Sequence, residues 1–167
     1  MTPPRSPRVL DTRTARLAAA DLLSRRAWTR RELATRLRRR GAPPEVATEV
    51  VEDLAGRGYV DDVQFARHWV ESRAPRGYGA GRLRAELRAR GVAATIIDGA
   101  LAPLASVRTL ETARAVALRR LPILKRGKPE RVAHRLGDYL MRRGYGTSVV
   151  TRVVRQLTGP AGNAPED

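Results

Sequence analysis

The chain has 167 residues, a length that suits one domain or several small repeats. Its 33 basic and 17 acidic side chains give a formal net charge of +16, and nearly all the basic residues are arginine. Such an excess favours a polyanionic partner: nucleic acid first, then acidic protein or membrane surfaces. The sequence contains no cysteine, which excludes disulfides and thiolate metal or redox sites.

The sequence shows neither a membrane span nor a secretion signal. No apolar run approaches the roughly 18 residues of a spanning helix, and the first residues lack an apolar signal core. We therefore expect a cytoplasmic protein without a membrane partner. Residues 1–13, with three prolines, and the polar residues 158–167 are predicted to be disordered tails.

Helical periodicity begins at Thr14, where Leu17, Leu23 and, more weakly, Ala20 form an apolar stripe that ends near Trp28. Thr29 is then placed to cap a second helix, with Glu32 three residues later completing a capping box. That helix ends in an arginine run and Gly41. A third helix follows Pro43-Pro44 and buries Val46, Val50, Val51 and Leu54.

The segment from Gly58 to Gly91 links one group of helices to the next. Gly58 supplies the positive φ that closes a helix, and Asp61 or Asp62 can cap the helix that follows. A glycine-rich turn, Arg76-Gly-Tyr-Gly-Ala-Gly81, then leads into another helix. The same order of landmarks therefore begins again after residue 60.

A repeat runs through the chain at offsets of 50 and 53 residues. Each copy has two leucines, an arginine–glycine helix end and a further apolar helix. The leucine and glycine positions are Leu33, Leu37 and Gly41, then Leu83, Leu87 and Gly91, then Leu136, Leu140 and Gly144. The later apolar positions are Val46, Val50, Val51 and Leu54, then Ile96, Ala100, Leu101 and Leu104, then Val149, Val153, Val154 and Leu157.

Another helix precedes each copy, so the repeating element is three helices. The sequence predicts an all-α protein of three tandem, helix-turn-helix-like repeats over residues 14–60, 61–105 and 106–157. No stretch alternates with period two, so we expect no sheet. Because a repeat of about 50 residues has a thin core, neighbouring repeats should support one another in an elongated, curved array.

The positive charge is uneven along the chain. Residues 104–157 hold 13 basic and 3 acidic side chains, whereas residues 1–62 hold 13 and 9. The third repeat therefore carries most of the excess charge.

Residues suited to catalysis are few. His68 and His134 fall in different repeats, and the adjacent pair Asp61-Asp62 is explained by helix capping. The turn after Arg76 follows a helix rather than a strand, which argues against a nucleotide-binding fingerprint. We predict no enzyme, no metal site and no cofactor.

Two segments suit binding instead. Arg73, Arg76, Tyr78 and Arg82 cluster around the glycine-rich turn, whose glycines either let a partner approach closely or merely shape the turn. The loop from Leu121 to Arg131 concentrates Lys125, Arg126 and Lys128 just after Arg119 and Arg120.

Pro122 and Pro129 should keep that loop from being a continuous helix and leave its charges exposed. Such charges contact phosphate or acidic side chains, or they form a solvated face. The arginine runs 38–40 and 142–143 are better explained by the helix dipole.

With these residues in view, the chain resembles the RecX family, regulators of the bacterial RecA recombinase. The resemblance covers residues 14 to about 157 and is most specific from 58 to 91. It is carried by Gly58-Tyr59-Val60-Asp61-Asp62 with Phe65-Ala66, then Arg73, Arg76-Gly77-Tyr78-Gly79, and Leu83, Leu87, Arg90 and Gly91, with Glu32-Leu33, Leu37 and Gly41 matching earlier.

The resemblance implies tandem three-helix units that lie in the groove of the RecA filament on single-stranded DNA. It also implies that filament extension, ATP hydrolysis, strand exchange and coprotease activity are hindered, which affects homologous recombination, the SOS response and DNA repair. We assign Tyr59, Phe65 and Leu83 to the core, and Arg73, Arg76, Tyr78 and Arg82 to contact.

Our hypothesis is a monomeric, non-enzymatic inhibitor that binds the RecA filament through its second and third repeats. The rival hypothesis is a direct DNA-binding protein of the helix-turn-helix or nucleoid type. Sequence-specific reading of DNA is disfavoured because Gln64 and Gln156 are isolated rather than grouped on a recognition helix. Dependence of tight binding on the recombinase separates the two.

Overall fold

The computed structural model describes residues 9–104 and 108–159, and throughout these ranges the backbone forms helices and turns without a strand. The predicted all-α class is therefore confirmed. The α-helices are α1 Thr12–Arg25, α2 Arg30–Arg39, α3 Pro44–Gly56, α4 Asp62–Arg73, α5 Ala80–Ala89, α6 Ala94–Leu101, α7 Arg108–Leu124, α8 Val132–Arg142 and α9 Thr147–Thr158. Short 3₁₀ turns occupy Ala74–Arg76, Ala102–Leu104 and Pro129–Arg131.

The described residues divide into two compact units. The first unit comprises 9–68 and 87–97, and the second comprises 69–86, 98–104 and 108–159. The division into repeats at residues 60 and 105 stays a prediction. None of the described helices is both long and apolar enough to cross a membrane.

Side-chain caps begin several helices as the sequence predicts. The Thr29 hydroxyl accepts from the Glu32 amide at 3.1 Å, and the Glu32 carboxylate accepts from the Thr29 amide, so the predicted capping box is confirmed. The Asp61 carboxylate accepts from the amides of Val63 and Gln64 at 2.8 and 3.0 Å. These bonds satisfy amides that have no partner inside the helix.

The first unit has a core built from α1, α2 and α3. Its largest fully buried side chains include Leu33, Leu37 and Val50. On α1 the buried residues are Ala15, Ala19 and Leu22, which share one face at i, i+4 and i+7 spacing.

The stripe predicted on α1 is therefore confirmed only in part: Leu23 and Trp28 pack against the core, but Leu17 is 66% exposed and Ala20 is exposed. Small alanines let α1 approach its neighbours closely, and the longer Leu17 is left on the opposite face.

The predicted N-terminal tail extends too far. The Leu10 amide donates to the Gly41 carbonyl at 3.0 Å, Leu10 packs against the core, and α1 begins at Thr12 under the cap of Asp11. At the other end Thr158 is still helical. The remainder of both predicted tails lies outside the described residues.

The second unit has a core built from α7, α8 and α9. Leu136, Leu140 and Val153 are fully buried there, together with Ala113 and Ala117. Leu136 and Leu140 are the counterparts of Leu33 and Leu37 in the first unit. The repeated leucines are core positions in both units.

Tyr59 contradicts its predicted core position, because it is 67% exposed. Gly58, at φ 78°, closes α3 and turns the chain, so that Val60 rather than Tyr59 points inward and is 2% exposed. Phe65 and Leu83 are buried as predicted.

The predicted loop from Leu121 to Arg131 is partly helical, since α7 continues through Pro122 to Leu124. A proline inside a helix costs about 3 kcal/mol. Leu121 and Leu124 are both buried, and burial of a leucine contributes about 1.5–3 kcal/mol, so the two together offset that cost. The connection therefore begins after Leu124 rather than at Leu121, but the segment is not one continuous helix and its charged residues are exposed, as predicted.

One backbone arrangement occurs in both units, and we call it the repeat joint. In the first unit the Thr29 hydroxyl, at the start of α2, donates to the Arg90 carbonyl at the end of α5 at 2.7 Å. In the second unit, at the start of α5, the Gly79 amide donates to the Arg143 carbonyl at 2.7 Å, and the Gly81 amide donates to the Gly144 carbonyl at 3.0 Å. An arginine–glycine helix end thus contacts the beginning of another helix each time.

Glycine is required at both helix ends. Gly91 and Gly144 have φ of 80° and 86°, and a Cβ at either position would collide with Arg31 or Arg82. The glycine that recurs in the sequence therefore has two roles, which are the left-handed helix end and the close approach.

We expect Thr29→Val to destabilise the protein by about 2–3 kcal/mol. Thr29 is fully buried, and the change removes both the α2 cap and the donor to the Arg90 carbonyl. Urea unfolding measures the difference. Thr48→Val, at an exposed helix position, is the control and should change the free energy of unfolding by less than about 0.5 kcal/mol. Equal effects of the two changes would contradict the role given to the joint.

Candidate functional site

All nine residues predicted to make contacts lie in the second unit. They form two groups, one around the glycine-rich turn and one on and after α7. The first group is Arg73, Arg76, Tyr78 and Arg82; the second is Arg119, Arg120, Lys125, Arg126 and Lys128.

The glycine-rich turn is held by the end of α8. Gly79 and Gly81 bond to the backbone of Arg143 and Gly144 as described above. A Cβ at Gly79 would come within 2.5 Å of the Gly144 carbonyl oxygen. The close approach that these two glycines permit is therefore to the protein's own backbone, which supports the turn-shaping interpretation at Gly79 and Gly81.

Tyr145 holds the same turn through a buried hydrogen bond. Its hydroxyl donates to the Gly77 carbonyl at 3.2 Å in a buried setting. Burial raises the pKa of Tyr145, so the phenol stays neutral and remains a donor.

Glu86 on α5 gathers three partners around the turn. Its carboxylate accepts from Arg82 Nε at 3.0 Å and from Trp69 Nε1 at 3.0 Å, and Arg73 Nε lies 3.6 Å away. The Arg73 guanidinium also stacks on the Trp69 ring, 3.8 Å from its centroid. Arg73 and Arg82 are thereby held in defined positions.

Burial on its own raises the pKa of Glu86. Hydrogen bonds from Arg82 and Trp69 and the charges of Arg73 and Arg82 outweigh it and lower the pKa below its ordinary value of 4.5. Glu86 is therefore a carboxylate at neutral pH, and it keeps both arginines in place.

Arginine and tyrosine side chains alternate across this part of the second unit, and we call this set the arginine–tyrosine ladder. It consists of Arg82, Tyr78, Arg143, Tyr139 and Arg120. Arg82 and Arg143 lie 4.3 and 5.2 Å from the Tyr78 ring centroid. Arg143 and Arg120 each lie 5.3 Å from the Tyr139 centroid. Cations at this distance from a ring face are attracted to it.

Arg143 is a member of the ladder that the sequence analysis assigned to the helix dipole. Its guanidinium donates to the Arg76 carbonyl at 2.7 Å and contacts both tyrosines. A signal was present in the sequence, because an arginine precedes the repeated glycine in every copy. Three further residues of this site are not among the predicted ones: Trp69, Glu86 and Tyr139, the last of which lies four residues before Arg143.

The remaining predicted residues are less constrained. The Arg76 side chain is exposed, and that of Arg119 is exposed, with its Nε 3.4 Å from the Ala115 carbonyl. The structure therefore brings Arg73, Tyr78, Arg82 and Arg120 into one connected network, with the Arg76 backbone attached to it.

Lys125, Arg126 and Lys128 form a separate basic turn after α7. All three are exposed, and no carboxylate within 9–104 or 108–159 forms an ion pair with them. The Gly127 amide bonds to the Leu124 carbonyl at 3.1 Å and closes the turn. These cations are available to phosphate or carboxylate groups.

The described residues offer little for catalysis. His68 is exposed, and His134 lies 3.4 Å from Asp138 at the surface of α8. No group of three or more acidic or histidine side chains in the described ranges is placed to hold a metal ion. The arrangement supports recognition of anions.

The helices, the ladder and the basic turn together define an all-helical protein, within the described ranges, with an arginine-rich, positively charged surface. Three family models match it: the first, second and third three-helix domains of RecX, over residues 15–63, 61–101 and 107–154. The chain belongs to the RecX family.

Curated relatives agree with this assignment. The protein is 38% identical to a protein of Streptomyces coelicolor over 98% of this chain and 86% of that one. It is 46% identical to a protein of Halorhodospira halophila over 77% and 78% of the two chains. Both relatives are named regulatory protein RecX.

Solved structures show the same fold. The crystal structure of RecX from Lactobacillus salivarius matches with a TM-score of 0.79 and 18% identity, over 88% of this chain and 96% of that one. A second crystal structure, of a regulatory protein RecX, matches with the same TM-score and 23% identity, over 85% and 72%.

We expect Glu86→Gln to lower stability at pH 7 and to lose this effect in acid. Because the pKa of Glu86 is lowered in the folded state, its stabilisation is present above the unfolded pKa and disappears as pH falls through the folded one. Urea unfolding at pH 7, 5, 4 and 3 should show the stability difference between the two proteins shrinking as the pH falls below 4.5, the ordinary pKa of the group.

Glu71→Gln is the matched control, since Glu71 is exposed on the same unit and the described residues give it no ion pair. A difference between Glu86→Gln and the parent protein that stays constant with pH would contradict this account.

Proposed function

We propose that the protein regulates the RecA recombinase by binding in the groove of the RecA filament on single-stranded DNA. Bound there, it inhibits ATP hydrolysis, strand exchange and coprotease activity, and so modulates DNA repair. It acts in the cytoplasm as a monomer and without catalysis of its own. Family membership, with three matched domains over most of the chain, is the observation that carries this proposal.

The second unit is our candidate for the main contact. Its ladder presents guanidinium groups whose positions are fixed by Tyr78, Tyr139 and Glu86 before any partner arrives. A side chain that is already ordered loses less conformational entropy when it binds. Guanidinium forks also suit both carboxylates and phosphates, the two anionic groups that a protein–DNA filament exposes.

The basic turn adds exposed positive charges to the ordered arginines of the ladder. Lys125, Arg126 and Lys128 are exposed and without ion pairs in the part of the chain that the structure describes. Cations of this kind steer association and tolerate variation in their partner. We propose that the basic turn binds phosphate groups or acidic side chains of the filament, close to the groups that the ladder binds.

Titration of the protein into a reaction that measures single-strand-dependent ATP hydrolysis by the cognate RecA tests the proposal. We expect inhibition at protein concentrations below that of RecA. Because binding to the filament should be tighter than binding to a free strand, a small excess of single-stranded DNA should not relieve it. Inhibition that disappears when DNA is added would mean competition for the strand. That result would favour the rival, a direct DNA-binding protein.

Charge reversal at Lys125, Arg126 and Lys128, all to glutamate, should weaken binding to the RecA filament at least tenfold. The reversal changes six units of charge, which explains the weaker binding. Because the three residues are exposed on a turn between helices, helicity should be unchanged. Filament pull-down and circular dichroism measure the two quantities.

The matched control reverses Arg114, Arg152 and Arg155, which are exposed on helices of the same unit. It should weaken binding less than the turn variant does. Full inhibition by the turn variant would remove the basic turn from the proposed contact.

A further inference from the structure

We propose that the first unit carries its own nucleic-acid-binding site, a pocket that takes the sugar–phosphate backbone. The site is formed at the first unit's repeat joint. Neither the ladder nor the basic turn takes part in it, and its test requires no recombinase.

The pocket occupies the position in the first unit that the ladder occupies in the second. An offset of 50 residues relates Trp28 to Tyr78 and Arg26 to Arg76. The offset of 53 relates Arg90 to Arg143, the arginine at the centre of the ladder. Both surfaces therefore arise where an arginine–glycine helix end meets the start of a helix that comes earlier in the chain.

The first unit has a cavity of about 450 Å³ at this place, open to solvent between α2 and the end of α5. Arginines dominate its wall. They are Arg26, Arg31, Arg36, Arg39 and Arg90.

Glu32 is the one acidic residue among those that line the cavity, and it already has ion-pair partners. Its carboxylate forms ion pairs with Arg26, at 3.4 Å, and with Arg90. Five arginines and one carboxylate leave the lining with an excess of four positive charges, and Arg31, Arg36 and Arg39 have no share in the Glu32 ion pairs.

Arg31, Arg36 and Arg39 are exposed on α2, and within the described ranges no carboxylate pairs with them. Arg31 and Arg39 are separated by eight residues, or about 12 Å along the helix. The stem of Arg31 lies against Gly91, which fixes where this side chain leaves the helix. Three arginines that line the cavity are thus spread along α2, and no carboxylate of the described residues forms an ion pair with them.

The lining favours nucleic acid over a protein partner. A protein interface requires apolar or aromatic anchors at its centre. The one aromatic side chain here, Trp28, is half-buried; its ring is covered by Arg26 at 3.4 Å and its Nε1 donates to the Leu22 carbonyl. Arginine forks and the Thr35 hydroxyl suit phosphate oxygens, which need donors alone.

The three arginines of the run 38–40 differ in their contacts, which the helix dipole alone does not explain. Arg40 pairs with Asp21 at 3.6 Å, and Arg38 donates to the Thr35 hydroxyl at 3.4 Å. Arg39 alone faces the cavity. Three adjacent arginines therefore have three different surroundings.

The test uses the full chain without recombinase and measures anisotropy of a fluorescein-labelled single-stranded oligonucleotide. The variant changes Arg31, Arg36 and Arg39 to glutamine. Three lost phosphate contacts should lower affinity about 100-fold at 0.1 M salt and reduce the slope of log K against log salt by about 2.

A matched variant changes Arg13, Arg67 and Arg88 to glutamine. These arginines are exposed in the same unit, have no ion pair among the described residues and do not line the cavity. The total charge of the two variants is equal, and the control should change affinity less than threefold, which is below the roughly fivefold loss expected for one phosphate contact.

Glu32→Gln tests the site by a gain of binding. Glutamine preserves the capping box, so the change removes the pocket's carboxylate while α2 keeps its cap. One additional net positive charge should strengthen binding about fivefold at 0.1 M salt. Misfolding cannot produce such a gain.

Weaker binding of the triple variant to the single strand, or to a duplex of equal length, supports the proposal. The oligonucleotide that shows the loss identifies whether the pocket binds single-stranded or double-stranded nucleic acid. Equal slopes for the triple variant and its control would overturn it. Competition by poly-glutamate as strong as that of the oligonucleotide would also overturn it, since the pocket would then be a surface for acidic protein.

Discussion

The repeat joint is the constraint on which the rest of this structure depends. Each joint places the backbone of an arginine–glycine helix end against the first residues of another helix, at hydrogen-bond distance. This approach is possible because the glycine takes a positive φ and has no Cβ. Thin three-helix cores gain a buried, hydrogen-bonded contact in this way, and each helix end is satisfied by a partner outside its own helix.

The joints also create the surfaces that we connect with function. Each one holds an arginine, Arg90 or Arg143, beside the aromatic residue that precedes the contacted helix, which is Trp28 before α2 or Tyr78 before α5. In the second unit Glu86 and two tyrosines order the arginines into a ladder. In the first unit Arg36 stands in the place of Glu86, and the result is a pocket with unpaired positive charge. One architectural element thus yields two arginine-rich surfaces of different character.

The differences between expectation and structure have a common physical origin. At Leu17, Tyr59 and Pro122 the local preference of the residue type disagrees with the environment that the fold provides. The structure decides them by their neighbours: Ala15 and Ala19 pack better than Leu17, Gly58 turns Tyr59 outward, and buried Leu121 and Leu124 extend α7 past its proline. Tertiary packing commonly overrides local preference in this way.

The sequence by itself determined the helical class, the repeated leucines and glycines, the caps at Thr29 and Asp61, and the position of most of the excess charge. These features depend on periodicity and local hydrogen bonding, which neighbouring residues carry. Only the tertiary structure decided which arginines share a surface, because Arg143 and Tyr78, like Arg90 and Glu32, are about sixty residues apart. Their contacts follow from the joints, and the geometry of a joint is set by the packing of whole helices.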